Sequence, residues 1–188
     1  MTEAAREVDG ITAPPAGEWE LDPAHTMVEF VARHILTKVR GRFTEFSGTI
    51  EIGDRPEDTH VEVEIQAASI QTNQEMRDNH QKSGDFLEIE KYPTLTFRTT
   101  AFRPTGGARF ELDGELTVKD DTKAITLEGE FLGWGPAMEG RTVLGASART
   151  TVDREDWGMT WNMIVETGGF LVSKKVDIEI EVEAYLAG

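Results

Sequence analysis

Apolar residues recur with a period of two through most of this chain, and that period restricts the fold more than any other feature. Near the C-terminus Val176, Ile178, Ile180 and Val182 alternate with Asp177, Glu179, Glu181 and Glu183. A strand sends successive side chains to opposite faces, so the segment has one apolar and one acidic face; a helix would scatter the same residues around its axis. The period returns from Met27 to His34, with Val28, Phe30, Ala32 and His34 on one face, and at Phe46, Gly48, Ile50 and Ile52. It continues through Val61, Val63 and Ile65, through Leu95 to Ala101, and through Phe110 to Val118. Ile125 to Phe131 and Val143 to Val152 complete the series, which amounts to about eight strands.

Turn chemistry separates these strands. Pro104 to Gly107 suits a hairpin connection and Lys119 to Lys123 a polar one. With one solvated and one enclosed face, about eight antiparallel strands close into an up-and-down barrel; a two-sheet sandwich shares the same pattern. Glycines at the inward positions 48, 114 and 129, with Gly145 as a fourth candidate, permit kinks or leave room inside. The 188 residues fit one domain, 18–188, preceded by a flexible leader over 1–17.

Two segments break the period. Thr72-Asn73-Gln74-Glu75 reads as a capping box with Thr72 at the cap, so a short helix should run toward Ser83, with Met76 and His80 on one side. Anchoring that helix to the barrel is the plainer role for the pair, and ligand contact the alternative. Asp153 to Gly169, with Trp157, Met159, Trp161, Met163 and Ile164, forms a second irregular apolar stretch able to cover a barrel mouth.

Charge narrows the partners. Thirty-five acidic residues against nineteen basic ones give a net charge of -16, which repels nucleic-acid phosphates and limits contact with anionic membranes to brief encounters. No cysteine is present, which removes disulfides and thiolate metal sites. The leader lacks the basic start and apolar stretch of a signal peptide, so a cytoplasmic location is expected.

Chemistry-bearing motifs are few. His25, His34, His60 and His80 lack the close pairing of a zinc site, and no metal or cofactor is expected. His34 points inward by alternation, as a core histidine or a contact to a ligand headgroup. Gly145-Ala146-Ser147-Ala148-Arg149 has arginine where a nucleophile elbow needs glycine and sits in a strand pattern, so no hydrolase is read from it. Gly133 to Gly140 lacks a phosphate-loop lysine and reads as a loop. Asp153, Glu155 and Asp156 cluster beside Arg154, and a structural ion pair is the expected outcome.

In order along the chain, these stretches resemble the YceI-like family of polyisoprenoid-binding, lipocalin-like proteins. The resemblance is carried by Asp22-Pro23-Ala24-His25-Thr26, then Val28, Phe30, His34, Val39, Gly41, Phe43, Phe46 and Gly48. It continues through Ser69-Ile70-Gln71-Thr72, Arg77-Asp78, His80, Lys82-Ser83, Asp85-Phe86, Tyr92-Pro93 and Phe97. Gly114 to Val118, Arg154 with Asp156-Trp157-Gly158 (tryptophan where the family has phenylalanine) and Val176 to Glu181 complete it. The resemblance implies an eight-stranded antiparallel lipocalin-like barrel with a short helical insertion, often a homodimer. It also implies non-catalytic binding, storage or transport of a polyisoprenoid or isoprenoid quinone as the bound lipid. Many members carry a secretion signal, from which this leader departs. Phe30, His34, Phe46, Ile70, Met76, His80, Phe86, Phe97, Leu116 and Trp134 are the expected ligand-binding residues. A fatty acid or fatty amide ligand, an enzyme using His25, His34 or His80 on a quinone or lipid headgroup, and a solid barrel acting through protein contacts are the alternatives.

Overall fold

The computed structural model describes residues 6–8 and 10–188. Two short strands, β1 (Glu7–Val8) and β2 (Ile11–Thr12), pair with each other apart from the main sheet. The main sheet begins with β3 (Gly17–Leu21), β4 (Met27–His34), β5 (Thr37–Phe43), β6 (Phe46–Ile52), β7 (His60–Gln66) and β8 (Ile70–Gln71). The helix α1 (Glu75–Lys82) follows, and then β9 (Thr94–Gly106), β10 (Arg109–Val118), β11 (Asp121–Pro136), β12 (Thr142–Asp153) and β13 (Val172–Leu186). None of the described helices is long and apolar enough to cross a membrane.

The sheet closes into an eight-stave antiparallel barrel of the lipocalin-like kind. β3 and β4 follow one another along the same edge of β13, through Leu21↔Ala184 and then Met27↔Glu181. β5 and β6 follow in the same way along β4 and β3, so each of these pairs makes one stave. β7, β9, β10, β11 and β12 come next as a meander, and β12 pairs with β13 along Val143↔Tyr185 to Asp153↔Lys175 to close the ring. That last ladder decides between barrel and sandwich: no edge of the staves is left unpaired along it.

Alternation explains the walls. Val176, Ile178, Ile180 and Val182 of β13 face the interior, while Glu179 faces out, where Arg40 bridges it and Glu29 at 2.5 and 3.0 Å. Such exposed pairs contribute little to stability. The β10–β11 turn is tighter than the sequence implied: Lys119, at φ 59°, closes a two-residue hairpin and β11 starts at Asp121. Gly133 to Pro136, expected as loop, belongs to β11, because pairing with Thr142 to Gly145 overrides the low strand preference of glycine.

Residues outside the staves collect at the two ends of the barrel. At one end lie α1 with its flanks and the 154–171 segment, which we call the helix end. The helix begins later than the capping box implied. Gln74 caps it by accepting the Arg77 amide, because Asn73, at φ 61°, turns the chain away. Thr72 instead gives its amide to Asp78, 2.8 Å away, and its hydroxyl accepts from Arg77. Ser83 ends the helix, as the sequence implied.

At the other end the described part of the leader is a hairpin packed over the barrel mouth, where the sequence implied a flexible tail. Val8, Ile11, Ala13 and Pro14 reach the interior, and Ala13 is buried. Arg6 donates to the Gly53 carbonyl at 3.0 Å, and the Trp134 indole to the Thr12 carbonyl at 3.1 Å. Four apolar side chains with a main-chain tie on each side hold a segment that composition alone reads as a tail. Residues 1–5 and 9, also in the expected leader, lie outside the described residues.

Candidate functional site

The interior of the barrel is an apolar cavity of about 400 Å³ that runs from the leader hairpin to the helix end. It exists because large inward side chains lie flat against the wall. Phe30 covers Gly41 on the neighbouring strand, Phe97 covers Gly114, and Phe110 covers Gly129. A Cβ at any of these glycines would collide with the ring. Each missing side chain lets an aromatic ring turn sideways, so the barrel axis stays open. Phe110 then stacks on Phe102 with centroids 4.9 Å apart. Gly48 is also inward and packed, since a Cβ there would stand 2.5 Å from the Glu62 carbonyl. Gly145 faces outward, beside the exposed Leu132, because its neighbour Leu144 takes the inward position.

The structure divides the ten expected ligand-binding residues. Phe30, Ile70, Phe86, Phe97 and Leu116 line the cavity. The other five lie outside the lining. His34 has the inward parity of Phe30 and Ala32 but is exposed, because β4 runs past the rim before it turns. Phe46 packs against the cluster around Ile65 and Ile70, while Phe43, across the irregular step at residues 44–45, takes the place facing the cavity. Met76 is 76% exposed, on the side of α1 turned to solvent. His80 bonds Asp85 at 2.8 Å and sets its ring edge-on to Phe86 and Trp161, at 5.1 and 4.4 Å. It therefore anchors α1 from outside the cavity. Trp134 is held at the hairpin end by its bond to Thr12 and packs against the cluster around Trp19.

The Asp22–Thr26 segment joins β3 to β4. Asp22 accepts the Ala24 amide at 2.9 Å and pairs with His25 Nδ1 at 2.6 Å, and the Thr26 hydroxyl donates to the Glu183 carbonyl at 2.9 Å. The hydrogen bond to His25 holds the Asp22 carboxyl below its ordinary value and raises the imidazole above its own. Asp22, His25 and Glu183 bring one ligand-type atom each within 4.8 Å of one another. Because Asp22 and His25 bond one another and Thr26 ties the segment to β13, the arrangement acts as a stitch that keeps one stave continuous across an insertion.

Polar lining is sparse and concentrated near the ends. Thr26 and Thr59 are buried at the lining. At the helix end Trp157 is buried and donates its indole N–H to the Leu116 carbonyl at 3.2 Å. Beside it, Arg154 points into the cavity, contrary to the ion pair that the sequence implied. The neighbouring carboxylates are taken by other cations, Glu155 by Lys174 at 2.9 Å and Asp153 by Lys175 at 3.5 Å. Burial lowers the proton affinity of the Arg154 guanidinium below its ordinary value. Sequence reasoning missed this residue because three acidic neighbours supplied a plausible partner. The signal that was available is the buried Trp157 three positions on, which fixes the turn and with it the direction of Arg154.

A family model for the YceI-like domain matches residues 19–184. A UPF0312 protein of Staphylococcus aureus (strain N315) is 34% identical over 166 residues, which cover 86% of this chain and 94% of that protein. Among solved structures, a YceI protein of Campylobacter jejuni aligns with a TM-score of 0.72 at 26% identity, covering 83% of this chain and 90% of its own. BcnA of Burkholderia cenocepacia aligns with a TM-score of 0.77 at 20% identity, over 87% of this chain and 98% of its own. A polyisoprenoid-binding domain from Saccharophagus degradans aligns with a TM-score of 0.63 at 12% identity, over 92% and 100%. The last two share the fold.

Proposed function

The chain belongs to the family of YceI-like domains, and on that premise we propose that its barrel binds, stores or carries a long apolar lipid, a polyisoprenoid or the tail of an isoprenoid quinone, without reacting with it. The observation that carries this reading is the open apolar axis of the barrel, kept clear by the glycine–phenylalanine pairs. The name of the Saccharophagus degradans domain supports the same class of ligand.

Energetics favour fit over specific contact. Each buried five-carbon unit contributes roughly 3–4 kcal/mol at about 0.8 kcal/mol per carbon, so several units exceed any observed net affinity and the ordering of the chain must offset much of the gain. Chain length is then selected by the length of the cavity. None of His25, His34, His60 and His80 is among the lining residues, which supports binding over catalysis by these imidazoles. Ile35, Leu36, Met163, Ile164 and Phe170 are exposed at the helix end, on two loops joined by the Ile35 amide and the Leu171 carbonyl at 2.9 Å. This apolar rim is where a lipid would pass during a brief contact with a membrane.

Organic extraction of freshly purified protein followed by mass spectrometry tests the proposal. Recovery of a prenyl lipid in near-stoichiometric amount is the expected result. Protein that yields no lipid and takes up none when offered a prenyl quinone would overturn it, and a fatty acid or fatty amide in the extract would replace the ligand class.

A further inference from the structure

Arg154 leaves β12 as the first residue of a short 3-10 turn, Arg154–Trp157, that is held from three sides. Asp153 accepts the Glu155 amide at 3.0 Å, Trp157 bonds Leu116, and Gly158, at φ 72°, returns its own amide to the turn. The turn directs Glu155 outward to Lys174 and Arg154 inward, where it is 4% exposed. Its Nε donates to the Ser173 carbonyl at 3.0 Å, and its Nη1 donates to the Met159 carbonyl. Nη2 is buried and has no partner among the described residues. A guanidinium is a rigid planar fork, so fixing Nε and Nη1 on the main chain also fixes the direction of Nη2. Phe86, itself part of the lining, lies 5.8 Å from the guanidinium carbon.

This cation is buried at an apolar cavity with Glu155 and Asp153 acting on it only through space, no carboxylate bonded to it among the described residues, and Nη2 idle, a costly state unless something that enters the cavity supplies an acceptor. A second unpartnered polar atom in the same lining, the buried amide oxygen of Gln81, comes from α1 at the same end. At the opposite end Arg6 also lines the cavity, and its buried Nε has no partner among the described residues. Arg6 is only half-buried there, and its Nη1 is engaged by the carbonyls of Gly53 and Asp54.

We propose that Arg154 reads the headgroup of the ligand, donating from Nη2 to an anionic or carbonyl oxygen of a single-chain lipid whose head lies at the helix end and whose tail runs toward the leader hairpin. The assignment rests on the reading of the barrel as a lipid site. Because no carboxylate among the described residues bonds the guanidinium, a carboxylate head gains most, a quinone carbonyl less and a hydroxyl least. Gln81 bonds a second polar atom of the head. Ligands with an apolar tail and no acceptor are held by the tail alone.

Displacement of the neutral fluorophore N-phenyl-1-naphthylamine from the full chain tests this, with decanoate, decan-1-ol and a decyl-benzoquinone as competitors of matched tail. The wild-type protein should favour decanoate over decanol by about tenfold or more, with the quinone between them. R154M should remove that preference while fluorophore and decanol affinities change less than about twofold, and R154K should keep most of the preference for decanoate and lose that for the quinone. Equal competition by the three ligands in the wild-type protein overturns the proposal without any variant, so misfolding of R154M does not protect it. A parallel loss of decanoate and decanol binding in R154M also overturns it. If neither fluorophore nor decanol enters the wild-type barrel, the lipid-site reading itself fails; if both enter and headgroups are not distinguished, only the role of Arg154 fails.

Discussion

The two ends of the barrel are each closed around a buried tryptophan whose indole donates to a main-chain carbonyl, yet they bury different things beside it. Trp19, wholly buried at the hairpin end, bonds the Pro15 carbonyl at 3.2 Å and packs with Ile50, Leu144 and Ala184. Trp157, at the helix end, borders the cavity and stands next to a buried cation with an unused donor. Similar tryptophan anchors therefore serve one end filled by packing, where a half-buried Arg6 keeps one nitrogen without a partner among the described residues, and another where a buried guanidinium at the cavity waits for an acceptor. Native interiors rarely leave buried donors unmet, so the second end is where a ligand is expected to complete the structure.

The sharpest way to break this comparison is to remove both anchors. Trp19→Ala should cost about 3–5 kcal/mol, because it opens a hole in a filled cluster. Trp157→Ala should cost less, since it enlarges a space already present, and bound lipid should recover part of the loss. Urea unfolding with and without lipid measures both; equal losses would mean that the ends do not differ in packing.

A second pair concerns the wall between the ends. Gly129→Ala drives a methyl into the Phe110 ring and should cost about 1–3 kcal/mol while reducing lipid uptake as the ring is pushed toward the axis. Gly145→Ala meets only ordinary contacts on the outside and should stay within about 0.5 kcal/mol of the parent with uptake unchanged. Thermal melts and lipid loading separate the two, and an unchanged capacity in Gly129→Ala would argue against the glycine origin of the cavity.

Deleting residues 1–13 should uncover the hairpin end at a cost of about 1–2 kcal/mol, the scale of a few net hydrogen bonds, because Trp134 loses its partner at Thr12. The barrel should keep its strand signal by circular dichroism and release lipid faster. Unchanged release would show that exchange uses the helix end alone.

The smallest effect is expected at the Asp22–His25 stitch. His25 has its value raised above the ordinary 6.5 by Asp22, so its contribution is fully present below 6.5 and is lost as the pH rises through the raised value. Asp22, lowered from 3.8, contributes above that value and loses its part as the pH falls through the lowered one. His25→Gln should therefore lower Tm slightly at about pH 5.5 and make no difference at about pH 9. A difference that persists at high pH would assign the stitch to packing.

The staves were legible because their signal is local. Val176 to Glu183, Phe110 to Val118 and Phe46 to Ile52 each alternate within one segment, and pairing only selected among strands already specified. β3 and β5 were the exceptions: β3 has only Trp19 and Leu21 alternating with glutamates, and in β5 Lys38, Arg40 and Arg42 alternate with an inward Gly41, so apolar periodicity was weak in both. The site was half legible. Parity placed Phe30, Phe97 and Leu116 correctly on the inner face, but parity carries no depth. His34 shares that face and lies beyond the rim, and Met76 shares a helix side that meets only solvent.

By itself the sequence determined the all-β class, the near-continuous alternation of acidic and apolar faces and the inward positions of Gly48, Gly114 and Gly129, because each depends on neighbours one or two residues away, whereas Gly41 was missed and Gly145 turned out to face outward. Closure of the ring through β12 and β13, the packing of the leader over one mouth and the inward turn of Arg154 were decided by the tertiary structure. Each depends on atoms brought together from distant parts of the chain. Whether Glu155 or the cavity receives the Arg154 side chain is set by where Ser173, Lys174 and Trp157 come to rest, and no local pattern encodes that.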